Sequence, residues 1–278
     1  MLKSIENKVA IITGGGRGLG KAMAVGLVSV GARVVITSAR EGKELEQTLK
    51  ECKSIGGDNS ILSIQADVTS PSDCDKVMRE TIKKWGSIQI LVNNAGRGMT
   101  YVDSEFVKSR PPFWKINTKI WNMIIDTNLN GIFNMSKAVM PYLIDHGWGR
   151  IVNISTSLIT MQRRGYAPYG SSKWAVEGLT QIMSEDLEET QITANVLIPG
   201  GATDTAMIPG RVGDKNRTGA DGNLFEPEIM IRPIQFLCSE LSNGMSGGRY
   251  VAKLWNDSLD PLDAAKEIVF KIKRDRVY

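Results

Sequence analysis

A single histidine, His146, serves 278 residues. That scarcity leaves no serine-hydrolase triad and no imidazole-rich metal centre to consider. Beside Gly147 and near a helix end, His146 reads as a surface or capping residue. The three cysteines, Cys52, Cys74 and Cys238, have the spacing of neither a metal site nor a redox pair. They read as small helix-packing residues in a reducing compartment. No apolar run approaches the roughly eighteen residues of a membrane span. The first residues lack the apolar stretch of a signal peptide, so a cytoplasmic location is expected. The net charge is only +4 and no Lys/Arg block exceeds three residues, although 271–276 is locally basic. Neither a nucleic-acid nor a membrane partner is suggested.

What is present is a chain with 42% hydrophobic and 23% charged residues, enough for one globular domain with a lid. Short apolar runs at 9–12, 33–37, 60–66, 88–92, 150–154, 192–198 and 249–254 read as strands. Between them, 21–30, 42–55, 72–85, 120–144, 168–189 and 228–240 have helical periodicity, and 261–273 reads as a terminal amphipathic helix. Strands alternating with helices predict an α/β fold, a doubly wound and mostly parallel sheet of about seven strands. The segments 97–119 and 203–226 break the pattern. The first reads as a lid or an oligomer contact, the second as a mobile flap, and 255–278 as a C-terminal extension.

The first strand runs into glycines at 14, 15, 16, 18 and 20. The P-loop spacing almost fits, but Ala22 stands where a magnesium-holding hydroxyl is needed. The turn therefore reads as a phosphate cradle feeding a helix N-terminus, with Gly14, Gly16 and Gly18 at its centre. At the end of the second strand no acid precedes Glu41. Arg40 and Arg17 can grip a 2′-phosphate and Ser38 can add a hydroxyl, which favours NADP(H) over NAD(H). As a bland alternative, both arginines are solvated surface charges. Asp67, at the end of the third strand, either accepts from an adenine amino group or caps the next helix. Asn128, mid-helix, is either a surface residue or a buried hydrogen-bonder.

Tyr169 and Lys173 are four residues apart on a predicted helix, hence one turn apart on one face. A free phenol titrates near 10, and the lysine's charge favours phenolate. Bringing that value to about 7 takes roughly three pH units, near 4 kcal/mol. Ser155-Thr156-Ser157 ends an apolar run shortly before them. Tyr166 reads as a decoy, because position 170 is glycine. Met99, Trp114, Met161 and Met207 suggest an apolar ketone, though core packing accounts for methionine equally well.

Together, Thr13-Gly14-x-x-x-Gly18-x-Gly20, Asp67, Asn93-Asn94-Ala95-Gly96, Asn128, the hydroxyl cluster, Tyr169-x-x-x-Lys173 and Pro199-Gly200 resemble the short-chain dehydrogenase/reductase superfamily over residues 7–250. The resemblance implies an NAD(P)-dependent oxidoreductase acting on a carbonyl/alcohol pair. It implies contacts of Gly14, Arg17, Gly18 and Leu19 with pyrophosphate and adenosine, of Asp67 and Val68 with adenine, and of Asn94, Ala95 and Gly96 near the ribose. Tyr169 is implied as proton donor or acceptor, with Lys173 as its helper and as a ligand of the nicotinamide ribose. Asn128 is implied to hold a relay water, and the loop after Pro199-Gly200, through Thr203 or Thr205, to meet the carboxamide. The catalytic hydroxyl falls on Thr156 by register, with Ser157 competing. A homodimer or homotetramer built on helices 120–144 and 168–189 is also implied. The usual Asp-Gly-Gly close is replaced by Val251-Ala-Lys-Leu-Trp255. A sensor that binds a dinucleotide without turnover, and an epimerase or dehydratase on the same fold, are the competing readings.

Overall fold

The computed structural model describes residues 5–219 and 222–271. One eight-stranded sheet organises them. Its strands are β1 (Val9–Thr13), β2 (Arg33–Ser38), β3 (Ile61–Gln65), β4 (Ile90–Asn93), β5 (Gly149–Ile154), β6 (Ile192–Ile198), β9 (Gly248–Val251) and β10 (Val269–Lys271). The two-residue strands β7 (Thr218–Gly219) and β8 (Gly222–Asn223) pair separately as a hairpin. Across the sheet the order is β10-β9-β6-β5-β4-β1-β2-β3, and only β10 runs antiparallel. The order reverses between β1 and β4, which opens a crevice at their carboxyl ends.

Period-two alternation places the core on both faces. Ile12, Val92, Val152 and Ile154 pack on one side with Met23, Leu27, Ile234 and Phe236. Their neighbours Ile11, Leu91 and Ile151 pack on the other with Val77, Met135 and Val139. The helices that flank the sheet include α1 (Gly18–Val28), α2 (Lys43–Gly56) and α3 (Pro71–Trp85). After a one-turn α4 (Phe106–Ser109) come α5 (Thr118–Ile125) and α6 (Gly131–His146). Next are the one-turn α7 (Leu158–Met161), then α8 (Ala167–Asp186), α9 (Ile231–Leu237) and α10 (Pro261–Ile268).

The structure differs from the sequence expectation in three places. The terminal helix stops at Ile268, and Val269–Lys271 turns back as the eighth strand, pairing with Tyr250, Arg249 and Gly248. An unpaired β9 edge selected strand over local helical pattern there. The rest of the expected terminal helix, and most of the basic tail, lie outside the described residues. The long helix at 120–144 is α5 and α6 joined through a π turn at Asp126–Asn130, with Asn128 fully buried inside it. The 97–119 segment is not a bare loop. It holds 3-10 turns at Met99–Tyr101 and Phe113–Lys115, α4 between them and the start of α5. His146 is exposed at the end of α6, followed by the left-handed Gly147. All three cysteines are buried, and burial pushes their thiols up to about 12, 11 and 12.

Candidate active site

The crevice at the β1/β4 reversal is a cleft of about 640 Å³. It runs from the glycine turn after β1 to the first turns of α8. Gly14 and Gly18 take left-handed φ values of 64° and 52°. Gly20 faces inward, and a Cβ there would stand 2.3 Å from the Gly14 carbonyl oxygen and 2.5 Å from Asn94 Nδ2. Asn94 is the brace of this turn: its Nδ2 donates to the carbonyls of Thr13 (2.9 Å) and Gly14 (3.0 Å). In return, the amides of Asn94 and Ala95 donate to Thr13 Oγ1 at 2.9 and 3.0 Å. Gly20→Ala is therefore expected to force the turn apart, with about 1–3 kcal/mol of stability lost. Melting and dinucleotide titration followed by tryptophan fluorescence check it; an unchanged affinity would count against a cradle role.

Gly14, Gly16, Arg17, Gly18, Leu19, Ser38, Arg40, Asp67, Val68, Asn94, Ala95, Gly96, Thr156, Tyr169, Lys173, Pro199 and Thr203 all line this one cleft. Lys21, of the near P-loop, instead pairs with Glu51 at 2.8 Å. Three expected residues do not line it: Asn128, Ser157 and Gly200. Asn128 is spent on architecture. Its Oδ1 accepts from the Arg97 amide (2.7 Å), and its Nδ2 donates to the Arg97 carbonyl and to Ser172 Oγ, both at 3.0 Å. Ser157 caps α7, accepting from the Thr160 amide at 3.2 Å. Gly200, with φ of 94°, lets the chain pass where a Cβ would meet Val251 and Lys253 at 2.7 Å. Asp67 is not the cap of α3. That role falls to Ser70, which accepts from Asp73 N, while Asp67 Oδ1 accepts from the Thr69 amide and hydroxyl. Trp114 is 71% exposed, and neither it nor the buried Met161 lines the cleft, whereas Met99 and Met207 do.

At the inner end, Tyr169 and Lys173 share the buried face of α8 with Val176, Glu177 and Thr180. The Thr156 hydroxyl stands beside the Tyr169 phenol and favours its ionised form. Lys173 Nζ donates to the Ile154 carbonyl at 2.8 Å and stands 5.9 Å from the Tyr169 ring centre. Burial pushes the phenol up to about 12, with the Thr156 hydroxyl acting against it. That is opposite in direction to the expected fall toward 7. Desolvation outweighs a lysine that is itself buried and committed to a carbonyl. The same burial lowers the Lys173 ammonium to about 8, partly offset by the Glu177 carboxylate.

Several residues escaped the sequence reading. Tyr166 lines the cleft and packs edge-on against Phe106, with ring centres 5.4 Å apart, in a cluster with Met99 and Tyr169. Its helical offset from Tyr169 was the available signal. Thr37 Oγ1 and Ser155 Oγ are buried, line the cleft and have no partner among the described residues. Buried hydroxyls are seldom left so. Arg217 is buried within the expected flap and pairs with Asp204. It also donates to the carbonyls of Thr205 (2.7 Å) and Pro209 (3.1 Å). Only the folded loop brings these groups together.

A parallel sheet with a glycine turn at its switch point and a Tyr/Lys pair at the inner end of one cleft defines a dinucleotide-dependent oxidoreductase class. The comparisons agree. The family model of the short chain dehydrogenases matches residues 8–215. A short-chain type dehydrogenase/reductase of Picea abies is 33% identical over 226 residues, 80% of each chain. A 3-oxoacyl-(acyl-carrier-protein) reductase of Vibrio cholerae is 30% identical over 241 residues, 85% of this chain and 91% of its own. A short-chain type dehydrogenase/reductase structure from Mycobacterium marinum superposes with a TM-score of 0.75 at 26% identity, covering 90% of this chain and 95% of its own. This chain belongs to the short-chain dehydrogenase/reductase family, and it is an NAD(P)-dependent oxidoreductase acting on CH–OH or carbonyl groups. Among the described residues, no helix is long and apolar enough to cross a membrane.

Proposed function

We propose that this protein interconverts a ketone and a secondary alcohol with NADP(H), and that Tyr169 is its general acid and base. The observation that carries the reading is the convergence of Thr156, Tyr169 and Lys173 at the inner end of a cleft that begins at a glycine cradle. The residues present fit a dinucleotide. The turn at Gly14 to Gly16 packs so closely that a Cβ there would meet Ala95, Ile36 or Leu45 at 3.0, 2.5 and 3.2 Å, and unpartnered hydroxyls wait along the cleft at Thr37 and Ser155. Gly14, Gly16, Arg17, Gly18 and Leu19 would hold the pyrophosphate side, Asp67 and Val68 the adenine, and Asn94, Ala95 and Gly96 the ribose region. Pro199 and Thr203, with Gly200 shaping the loop, would meet the nicotinamide end. When bound, the dinucleotide supplies the hydride.

This chain's residues handle the proton. In reduction the phenol, protonated at neutral pH in this environment, releases its proton from Oη to the carbonyl oxygen. The Thr156 hydroxyl steadies that oxygen as charge develops. The Lys173 ammonium stabilises the phenolate left behind, and Asn128, locked between α8 and the Arg97 backbone, keeps its π turn in place for a relay water. Met99, Phe106, Tyr166 and Met207 offer the substrate an apolar wall.

The preference for NADP(H) rests on Arg40. It is exposed at the cleft's outer end and has no ion pair among the described residues, whereas Arg17 faces Glu44 at 3.3 Å. Replacing Arg40 with Asp is expected to cut kcat/KM for NADPH by about 10–100-fold and to raise that for NADH. An unchanged ratio removes the NADP assignment. A homo-oligomer built on α5–α6 and α8 is supported by the exposed apolar side chains Phe133, Ile144, Trp174 and Ile182; a cytoplasmic setting is part of the same reading. The direct test is a panel of ketones and alcohols with NADPH and NADH, followed by nicotinamide absorbance. Tight dinucleotide binding with no redox change across the panel would instead favour a sensor.

A further inference from the structure

Behind Thr156, outside the cleft, stands a buried ion pair that no step above uses. Arg249 on β9 donates from Nε to both carboxylate oxygens of Glu177, at 3.1 and 2.9 Å. Its NH2 nitrogen donates to the Thr156 main-chain carbonyl at 2.8 Å. Glu177 is 1% exposed and Arg249 9%. Glu177 lies one helical turn beyond Lys173 on the same face of α8, and Lys173 Nζ holds the Ile154 carbonyl at 2.8 Å. On an extended segment the carbonyls of residues i and i+2 point the same way. Two cations therefore grip alternate carbonyls of the strand end that carries the reacting hydroxyl. Lys173 does so directly from α8, and Arg249 from β9 while Glu177 anchors it to α8.

We propose that Arg249 is a positioning residue, held by Glu177, that fixes the backbone of Thr156 so that its hydroxyl stays on the Tyr169 phenol. The proposal rests on the acid–base role given to Tyr169 above. A fold needing only a core ion pair has no use for the third contact. One guanidinium joining a helix carboxylate to the catalytic strand's carbonyl ties three chain segments at the reacting atoms. The tail that departs from the usual Asp-Gly-Gly thus begins from a strand that carries a brace for Thr156.

The test is a cycle with Thr156. Arg249→Lys keeps the buried charges paired but cannot span both Glu177 and Thr156. Glu177→Gln with Arg249→Gln removes both charges together, so that neither is stranded if the lysine variant folds poorly. Each is expected to lower kcat by about 10–100-fold, the scale of an ångström misplacement. Dinucleotide affinity and substrate KM should stay within about twofold, because neither residue lines the cleft. In a Thr156→Val background Arg249→Lys, which leaves the Glu177 carboxylate beside Lys173, should alter kcat by less than about threefold, since the hydroxyl it positions is gone. If the losses multiply instead, the positioning role is overturned. A readout independent of turnover is the Tyr169 ring-carbon resonance in tyrosine-labelled protein, assigned by its loss in Tyr169→Phe. The Arg249 variants should shift it as Thr156→Val does, and a resonance unmoved from wild type overturns the proposal. Because this signal needs no substrate, a protein that turned over no carbonyl would sink the acid–base reading while the brace was still scored.

Discussion

Tyr169→Phe is expected to lower kcat for carbonyl reduction by about 10²–10⁴-fold, the usual contribution of a placed general acid. Affinity for the reduced dinucleotide should hardly change. The ring that packs with Met99, Phe106 and Tyr166 is retained, so the apolar wall and the helix face survive. What is lost is the oxygen and its interaction with the Thr156 hydroxyl, a change of only about 1 kcal/mol in stability. Stopped-flow oxidation of the reduced nicotinamide, set against equilibrium binding and a melting curve, separates these effects. Near-normal turnover in a variant that binds the dinucleotide would move the proton to another group, and Tyr166 would be the first to examine.

Lys173→Met carries the second large effect, through charge. The lysine is buried, and burial brings its ammonium down to about 8. The phenol, up at about 12, keeps its proton throughout the neutral range, so a pH limb in reduction belongs to Lys173. The wild-type rate should fall as pH rises through about 8, because the cation that steadies the developing phenolate is lost. Methionine fills similar space, and kcat should drop by about 10²–10³-fold with that limb erased. Stability responds in the same window with a definite sign. The ammonium's ordinary value of 10.5 lies above its folded value, so the unfolded chain holds more protons between about 8 and 10.5. Relative to Lys173→Met, wild-type stability should therefore gain up to about 3 kcal/mol as pH climbs through that range. In both proteins the buried thiols above about pH 9, and the phenols of Tyr169 and Tyr250 above 10, act against folding, so the lysine's part is the difference between the two. Parallel denaturant titrations of the two proteins at several pH values check it; equal slopes would mean that Lys173 does not bear the depressed value.

The sequence by itself determined the strand–helix alternation, the glycine turn and most, not all, of the residues that line the cleft. Those signals are local: a run of apolar residues makes a buried parallel strand, a left-handed turn selects glycine, and a four-residue interval puts Tyr169 and Lys173 on one helix face. Tertiary structure decided which of two adjacent hydroxyl residues lines the cleft. Thr156 and Ser157 have the same chemistry, and only the start of α7, which takes Ser157 as its cap, separates them. It also decided that Ser70, not Asp67, caps α3, and that the last described residues extend the sheet rather than a helix. The direction of the Tyr169 shift was equally hidden, because desolvation is set by everything packed around a group and spacing reports only its partner. Glu177 and Arg249 meet across 72 positions, joined by the order of β5, β6 and β9 in the sheet, and no interval along the chain encodes that meeting.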